Sequence, residues 1–155
     1  MARAAVKDAE HALVVTRFLD APLARVWRAW SDPAEASKWL GPGDITGTYK
    51  SDDMNPGGSY TIEMRHPDGK VSIVGGRFRE VVPMAKVVYT WAWRGDDGKP
   101  GHESVVTVTF RAVGNKTELT LRHEGFDSKE SRDGHQGGWN GCLDKLENYL
   151  KRESD

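Results

Sequence analysis

The chain has 155 residues, 37% hydrophobic and 29% charged, with 22 Lys plus Arg against 23 Asp plus Glu and a formal net charge of −1. This balance excludes a disordered chain and a membrane protein, and it supplies no electrostatic pull toward nucleic acid or anionic lipid. The length predicts one domain over 1–155, with a core from about residue 13 to 150 and ragged ends at 1–11 and 152–155.

Leu13 to Phe18 is a short β-type run. Asp20-Ala21-Pro22 then opens a helix, since proline is favoured in a first turn, and Leu23, Val26, Trp27 and Trp30 follow at helical spacing with Arg25 and Arg28 turned outward. Asp32-Pro33 opens a second short helix, with Asp32 as its cap and Glu35 at the third position; Gly41-Pro42-Gly43 stops it. From there the period changes to two. Ile45 to Lys50 reads as a strand, and Tyr60, Ile62 and Met64 alternate with Thr61, Glu63 and Arg65. Pro67-Asp68-Gly69-Lys70 is a hairpin turn by composition, and Val71 to Val82 is the next strand, interrupted by Gly75-Gly76. Val87 to Trp93 puts Tyr89, Trp91 and Trp93 on one face. Glu103 to Ala112 does the same for Val106, Val108 and Phe110, and Thr117 to His123 for Leu119, Leu121 and His123. The acidic pairs Asp52-Asp53 and Asp96-Asp97 read as solvated turns. The last segment carries Trp139, Leu143, Leu146 and Leu150 at i, i+4, i+7 and i+11, an amphipathic helix.

Strands at hairpin spacing followed by one amphipathic helix predict an α+β fold: a curved antiparallel sheet of about six to seven strands wrapping a long C-terminal helix, with two short helices after the first strand. Two features argue for a space between sheet and helix. Glycines inside a strand mark a bend or bulge, and Gly134, Gly137, Gly138 and Gly141 fall in or near the first half of the last helix, where each interior glycine costs about 1 kcal/mol against alanine. Either the helix begins near Gly138 and the preceding residues are loop, or it extends further back and presents a bare surface.

The residues Val26-Trp27-Arg28-Ala29-Trp30, Lys38-Trp39-Leu40-Gly41-Pro42, Pro56-Gly57-Gly58-Ser59-Tyr60, Gly76 with Glu80 and Pro83, Tyr89-Thr90-Trp91, Thr117-Glu118-Leu119-Thr120-Leu121 and Gly138-Trp139 carry a resemblance in their order and spacing. The chain resembles the START-like (SRPBCC, helix-grip) superfamily, shared with polyketide cyclases and pathogenesis-related ligand carriers. Within it the chain looks like the bacterial branch named after the activator of heat-shock ATPase homologue, whose name points to stress response. The resemblance covers about Leu13 to Leu150. It implies a deep pocket between sheet and long helix and names no substrate.

The expected function is binding of a small apolar or lipid-like molecule there, with Trp39, Tyr60, Ile62, Phe78, Trp91, Trp93, Val108, Leu121, His123, Trp139 and Leu143 as the ligand-binding set. An alternative is a cyclase, aromatase or hydrolase using polar groups in the same space. His123, His135, Glu80, Tyr60 and Arg77 are its candidates, although His123 reads more simply as a strand-end histidine near water. His135 and Cys142 share a helical face, two turns apart, and Cys142 reads as a small buried apolar residue. No catalytic residue is assigned. A third alternative is a co-chaperone stimulating a heat-shock ATPase; the activator proper carries an additional N-terminal domain for which this length leaves no room, so no chaperone partner is expected.

Metal and nucleotide motifs are absent from the sequence, so no cofactor is expected. Nucleic acid and membrane are not expected partners, and homodimerisation stays open. The single cysteine fits a reducing compartment, no apolar leader precedes Glu10, and no apolar run is long enough to span a bilayer, so the expected location is the cytoplasm.

Overall fold

Alternation of apolar and polar residues is carried through into a seven-stranded antiparallel sheet. The structure is a computed structural model that describes residues 11–51 and 54–153; the leader before His11 and the Asp52-Asp53 pair lie outside the described residues. In chain order the elements are β1 (Ala12–Leu19), α1 (Leu23–Ser31), α2 (Pro33–Ala36), β2 (Thr46–Ser51), β3 (Ser59–Arg65), β4 (Val71–Val82), β5 (Lys86–Trp93), β6 (Ser104–Val113), β7 (Lys116–Glu124) and α3 (Lys129–Glu153). The spatial order is β1-β7-β6-β5-β4-β3-β2. Strands β2 to β7 form a meander, and β1 closes the far edge by pairing with β7 from Ala12↔Glu124 to Leu19↔Thr117. This is the curled sheet and long helix expected from the sequence.

The strand faces on which the sequence groups its apolar residues are the buried ones. Tyr60, Ile62 and Met64 of β3, Val106, Val108 and Phe110 of β6, and Leu119, Leu121 and His123 of β7 all point to the concave side. Against them α3 lays Trp139, Leu143, Leu146 and Leu150, joined by Cys142 and Tyr149. The short helices close one end: Trp30 of α1 meets Trp39 at 4.8 Å between ring centroids and Phe110 of β6 at 5.9 Å. The Asp32 carboxylate caps α2 by accepting from the Ala34 N–H at 2.9 Å, as the sequence predicts.

The start of α3 decides between the two readings left open above. The Ser128 hydroxyl accepts the Ser131 N–H at 3.1 Å, which places the cap before Lys129 and brings all four glycines into the helix. Gly141 is there for packing: a Cβ at that position would lie 2.7 Å from Cβ of Pro42, so glycine lets the Gly41-Pro42-Gly43 turn lean on the helix.

Polar contacts at the middle and toward the C-terminal end of α3 fix its position on the sheet. Arg17 of β1 donates to Asp144 at 2.9 Å, Glu147 at 3.1 Å and the Asn140 side chain at 3.0 Å. At the C-terminal end, the Glu35 carboxylate accepts from Arg25 at 2.7 Å, from the Tyr149 hydroxyl at 2.8 Å and from Nε of Arg28 at 2.9 Å. Burial by itself would raise the Glu35 carboxyl; the hydrogen bonds from Tyr149 and Arg25 outweigh it and hold the group below the usual carboxylate range. Replacing Glu35 with alanine leaves the Arg25 guanidinium and the Tyr149 hydroxyl half-buried without their acceptor. The expected cost is about 2 kcal/mol, a drop in melting temperature of roughly 4–8 °C. Thermal unfolding followed by circular dichroism checks it, with an unchanged midpoint counting against the clamp.

Candidate functional site

Between the N-terminal half of α3, the inner face of β5, the β3–β4 hairpin and the turn before β2 lies a cavity of about 360 Å³. Its position follows from the sequence of α3. At Gly134 and Gly138 the helix has no side chain to fill the space, and a Cβ added at Gly134 would meet nothing within 4 Å. Opposite, Trp91 and Trp93 project from alternate positions of β5 and meet edge-to-face at 5.7 Å. Trp139 of α3 reaches Trp91 at 5.1 Å and forms the inner wall. Leu40, Pro42, Ile45 and Met64 complete an apolar lining, and Cys142 adds a thiol that burial pushes up to about 11, so it stays protonated at neutral pH.

The polar groups fall into two sets. At one side His66 and Ser72 face each other across the β3–β4 hairpin, with Nε2 of His66 3.0 Å from Oγ of Ser72. At the other, His135 stands on α3 with both ring nitrogens engaged: Nε2 accepts the Trp93 indole N–H at 2.9 Å, so the proton sits on Nδ1, which donates to the Ser131 carbonyl at 2.7 Å. Among the described residues no Asp, Glu, Lys or Arg lines the cavity. Trp91 adds one unusual feature: its indole N–H is buried and has no hydrogen-bond partner among the described residues.

His123 lies beneath this wall, fully buried, rather than at a wet strand end. The Trp139 indole N–H donates to Nδ1 at 3.0 Å, so the ring proton is on Nε2. That nitrogen donates to Oγ of Ser104 at 2.7 Å, and the hydroxyl donates onward to the Trp91 carbonyl at 3.2 Å. Burial, with a smaller contribution from His135 beside it, depresses the His123 imidazole to about 3. The ring is a neutral, fully bonded element of the core, tilted against Phe126 at 4.3 Å and edge-on to His135 at 5.2 Å between ring centroids.

The sequence-derived set divides. Trp91, Trp93 and Trp139 line the large cavity. Trp39, Tyr60, Ile62 and Phe78 surround a separate void of about 30 Å³, roughly the volume of one water, where the rings pack on each other (Tyr60–Phe78 5.5 Å, Tyr60–Tyr89 5.3 Å). Burial raises the Tyr60 and Tyr89 hydroxyls well above the ordinary tyrosine value, which keeps them neutral. Val108, Leu121 and Leu143 are core residues that line neither space. Arg77 lies on an open groove on the other side of the sheet, and Glu80 is exposed and paired with Lys86 at 3.2 Å. Neither is near the cavity.

Sequence reasoning did not select His66, Ser72, Ser131, Gly134 or Gly138 as site residues. For the first two a signal existed: the pairing Met64↔Ser72 puts Ser72 beside an inward-facing methionine, and His66 continues the alternation of Tyr60, Ile62 and Met64. Among the described residues no cluster of three or more His, Cys, Asp or Glu could hold a metal, and no helix is long and apolar enough to cross a membrane.

A family model described as activator of Hsp90 ATPase homolog 1-like protein matches residues 20–151. No curated protein matches the chain. Among solved structures, the AHSA1 protein from Silicibacter pomeroyi is 28% identical with a TM-score of 0.84, over 92% of this chain and 99% of that one. A protein from Chromobacterium violaceum is 26% identical with a TM-score of 0.81, over 90% and 97%. A protein from Arthrobacter aurescens, 21% identical with a TM-score of 0.84 over 93% and 88%, shares the fold.

Proposed function

The chain belongs to the activator of Hsp90 ATPase homolog 1-like family, and we propose that within it this protein binds one small, uncharged, largely apolar molecule. The observation that carries the reading is the cavity itself: about 360 Å³, walled by Trp91, Trp93 and Trp139, with a few hydrogen-bonding groups, chiefly at His66–Ser72 and around His135. The volume falls in the range of small-molecule sites, and an apolar lining with few polar anchors is their usual make-up. A charged ligand would meet no counter-ion among the described residues, since no Asp, Glu, Lys or Arg of these lines the space, and an unpaired charge is costly there.

Proton-transfer chemistry is less well supported. Both nitrogens of His123 and of His135 are already committed to hydrogen bonds, and each ring would have to give up an indole donor before accepting a proton. The description of the family by likeness to an Hsp90 ATPase activator does not enter the reading. The buried, protonated Cys142 thiol suits a reducing compartment, and we place the protein in the cytoplasm on that ground.

Native mass spectrometry of the protein purified from cells, repeated after denaturing extraction, tests the proposal. The expected result is an adduct below about 500 Da that is released on denaturation and is uncharged in isolation; a carrier of this kind also quenches its own tryptophan emission when a neutral aromatic probe is added. A clean apo mass together with unchanged emission would overturn it.

A further inference from the structure

Helix α3 keeps four glycines in its first half, and packing accounts for only one of them. Gly141 is dictated by the contact with Pro42. At Gly134 and Gly137 a Cβ would meet nothing within 4 Å, and at Gly138 it would come no nearer than 4.0 Å to Cγ of Pro42. None of these three needs glycine for backbone conformation, since each sits in regular helix. In a helix interior glycine is destabilising against nearly every other residue. Gly134 and Gly137 are both exposed, but Gly134 and Gly138, one helical turn apart, line the cavity with bare backbone, whereas Gly137 does not.

We propose that Gly134 determines what the cavity admits: a flat, uncharged ring system lies against the exposed helix backbone at Gly134 and Gly138, with the indoles of Trp91 and Trp93 on its other side. This rests on the cavity reading above and narrows it. The chain forgoes helix stability at Gly134, a residue that lines the cavity and where the helix leaves open space. The opposite wall is aromatic, so a ring gains stacking contact there and smooth backbone contact on the helix. The indole N–H of Trp91 is buried and without a partner among the described residues. Among the described residues no Asp, Glu, Lys or Arg lines the cavity to hold an ionised substituent.

The test uses 1-aminoanthracene, a neutral planar fluorophore, titrated into the wild type and into two single variants of the full chain, Gly134→Leu and Gly137→Leu. Both variants replace an open helical glycine with a strong helix former, so both should melt higher than the wild type, which certifies that they fold. The expected result is that Gly134→Leu weakens probe binding at least tenfold, whereas Gly137→Leu stays within about twofold of the wild type. The globular competitor 1-adamantanol should displace the probe poorly. Equal binding by wild type and Gly134→Leu overturns the role of Gly134 and leaves the cavity reading standing. Equal loss in both variants shows that the effect is not steric and overturns it too, and strong displacement by adamantanol removes the preference for flat rings. No saturable binding by the wild type sinks the cavity reading, and this inference with it.

Discussion

An alanine at position 76 is expected to abolish the fold or to destabilise it by at least about 3 kcal/mol. A Cβ on Gly76 would sit 2.0 Å from the Thr90 carbonyl oxygen and 2.5 Å from the Thr90 hydroxyl, well inside any real carbon–oxygen contact. Relief requires moving β5, and Thr90 is tied from several sides. Its Oγ1 accepts the Arg77 N–H at 2.8 Å, and its carbonyl accepts the Tyr60 hydroxyl at 2.5 Å. These bonds stand where the β4–β5 ladder is interrupted, between the pairs Gly75↔Ala92 and Phe78↔Tyr89. A side chain at 76 would therefore break the sheet at its bend and withdraw the partner of a buried tyrosine. Gly134→Ala serves as the opposite control, since it fills open space in a helix and should stabilise by up to about 1 kcal/mol. Soluble yield and urea unfolding of the two variants check the pair. A Gly76→Ala protein with wild-type stability would mean that β4 and β5 are not this close.

The sheet was legible because burial on one face imposes a period of two that few other structures share. Tyr60-Ile62-Met64, Val106-Val108-Phe110 and Leu119-Leu121-His123 each declare a face, and a one-residue slip would have exposed all of them. The site was legible only in part, because a cavity is a property of what is missing between elements. Trp39 and Trp91 are equally large and equally apolar in sequence. Whether the ring packs tightly, as Trp39 does on Trp30, or borders open space, as Trp91 does, depends on the helix opposite. The glycines of α3 held that information, yet the Ser128 cap that brings them into the helix lies in a polar stretch where several residues could serve. His123 shows the same limit. Its place at a strand end says nothing of the indole that reaches it from Trp139, 16 residues later and on another element.

That buried imidazole should make the protein acid-labile well above the range where carboxylates titrate. In the unfolded chain a histidine takes up its proton near 6.5, whereas in the fold His123 is held to about 3, first by burial and then by the neighbouring His135. Above pH 6.5 both states are neutral at this residue and stability does not depend on it. As pH falls below 6.5 the unfolded state gains a proton that the folded state refuses, so stability drops by up to about 1.4 kcal/mol per pH unit until pH nears 3. By pH 4.5 the loss from this one group is about 3 kcal/mol, a large share of a typical domain's stability. The Glu35 carboxyl, held below its ordinary value, adds a loss of the same sign only at lower pH. The measurement is urea unfolding at pH 7, 5.5 and 4.5 for the wild type and for His123→Asn, whose amide oxygen can still accept the Trp139 indole N–H but cannot titrate. The variant should start less stable, because Ser104 loses its donor, and should then lose less on acidification, by nearly one proton's worth of slope. Parallel pH profiles would mean that His123 is protonated in the fold near its ordinary value. In that case the hydrogen-bonded chain from Trp139 through His123 and Ser104 to Trp91, which underlies the cavity wall, is not assembled as described.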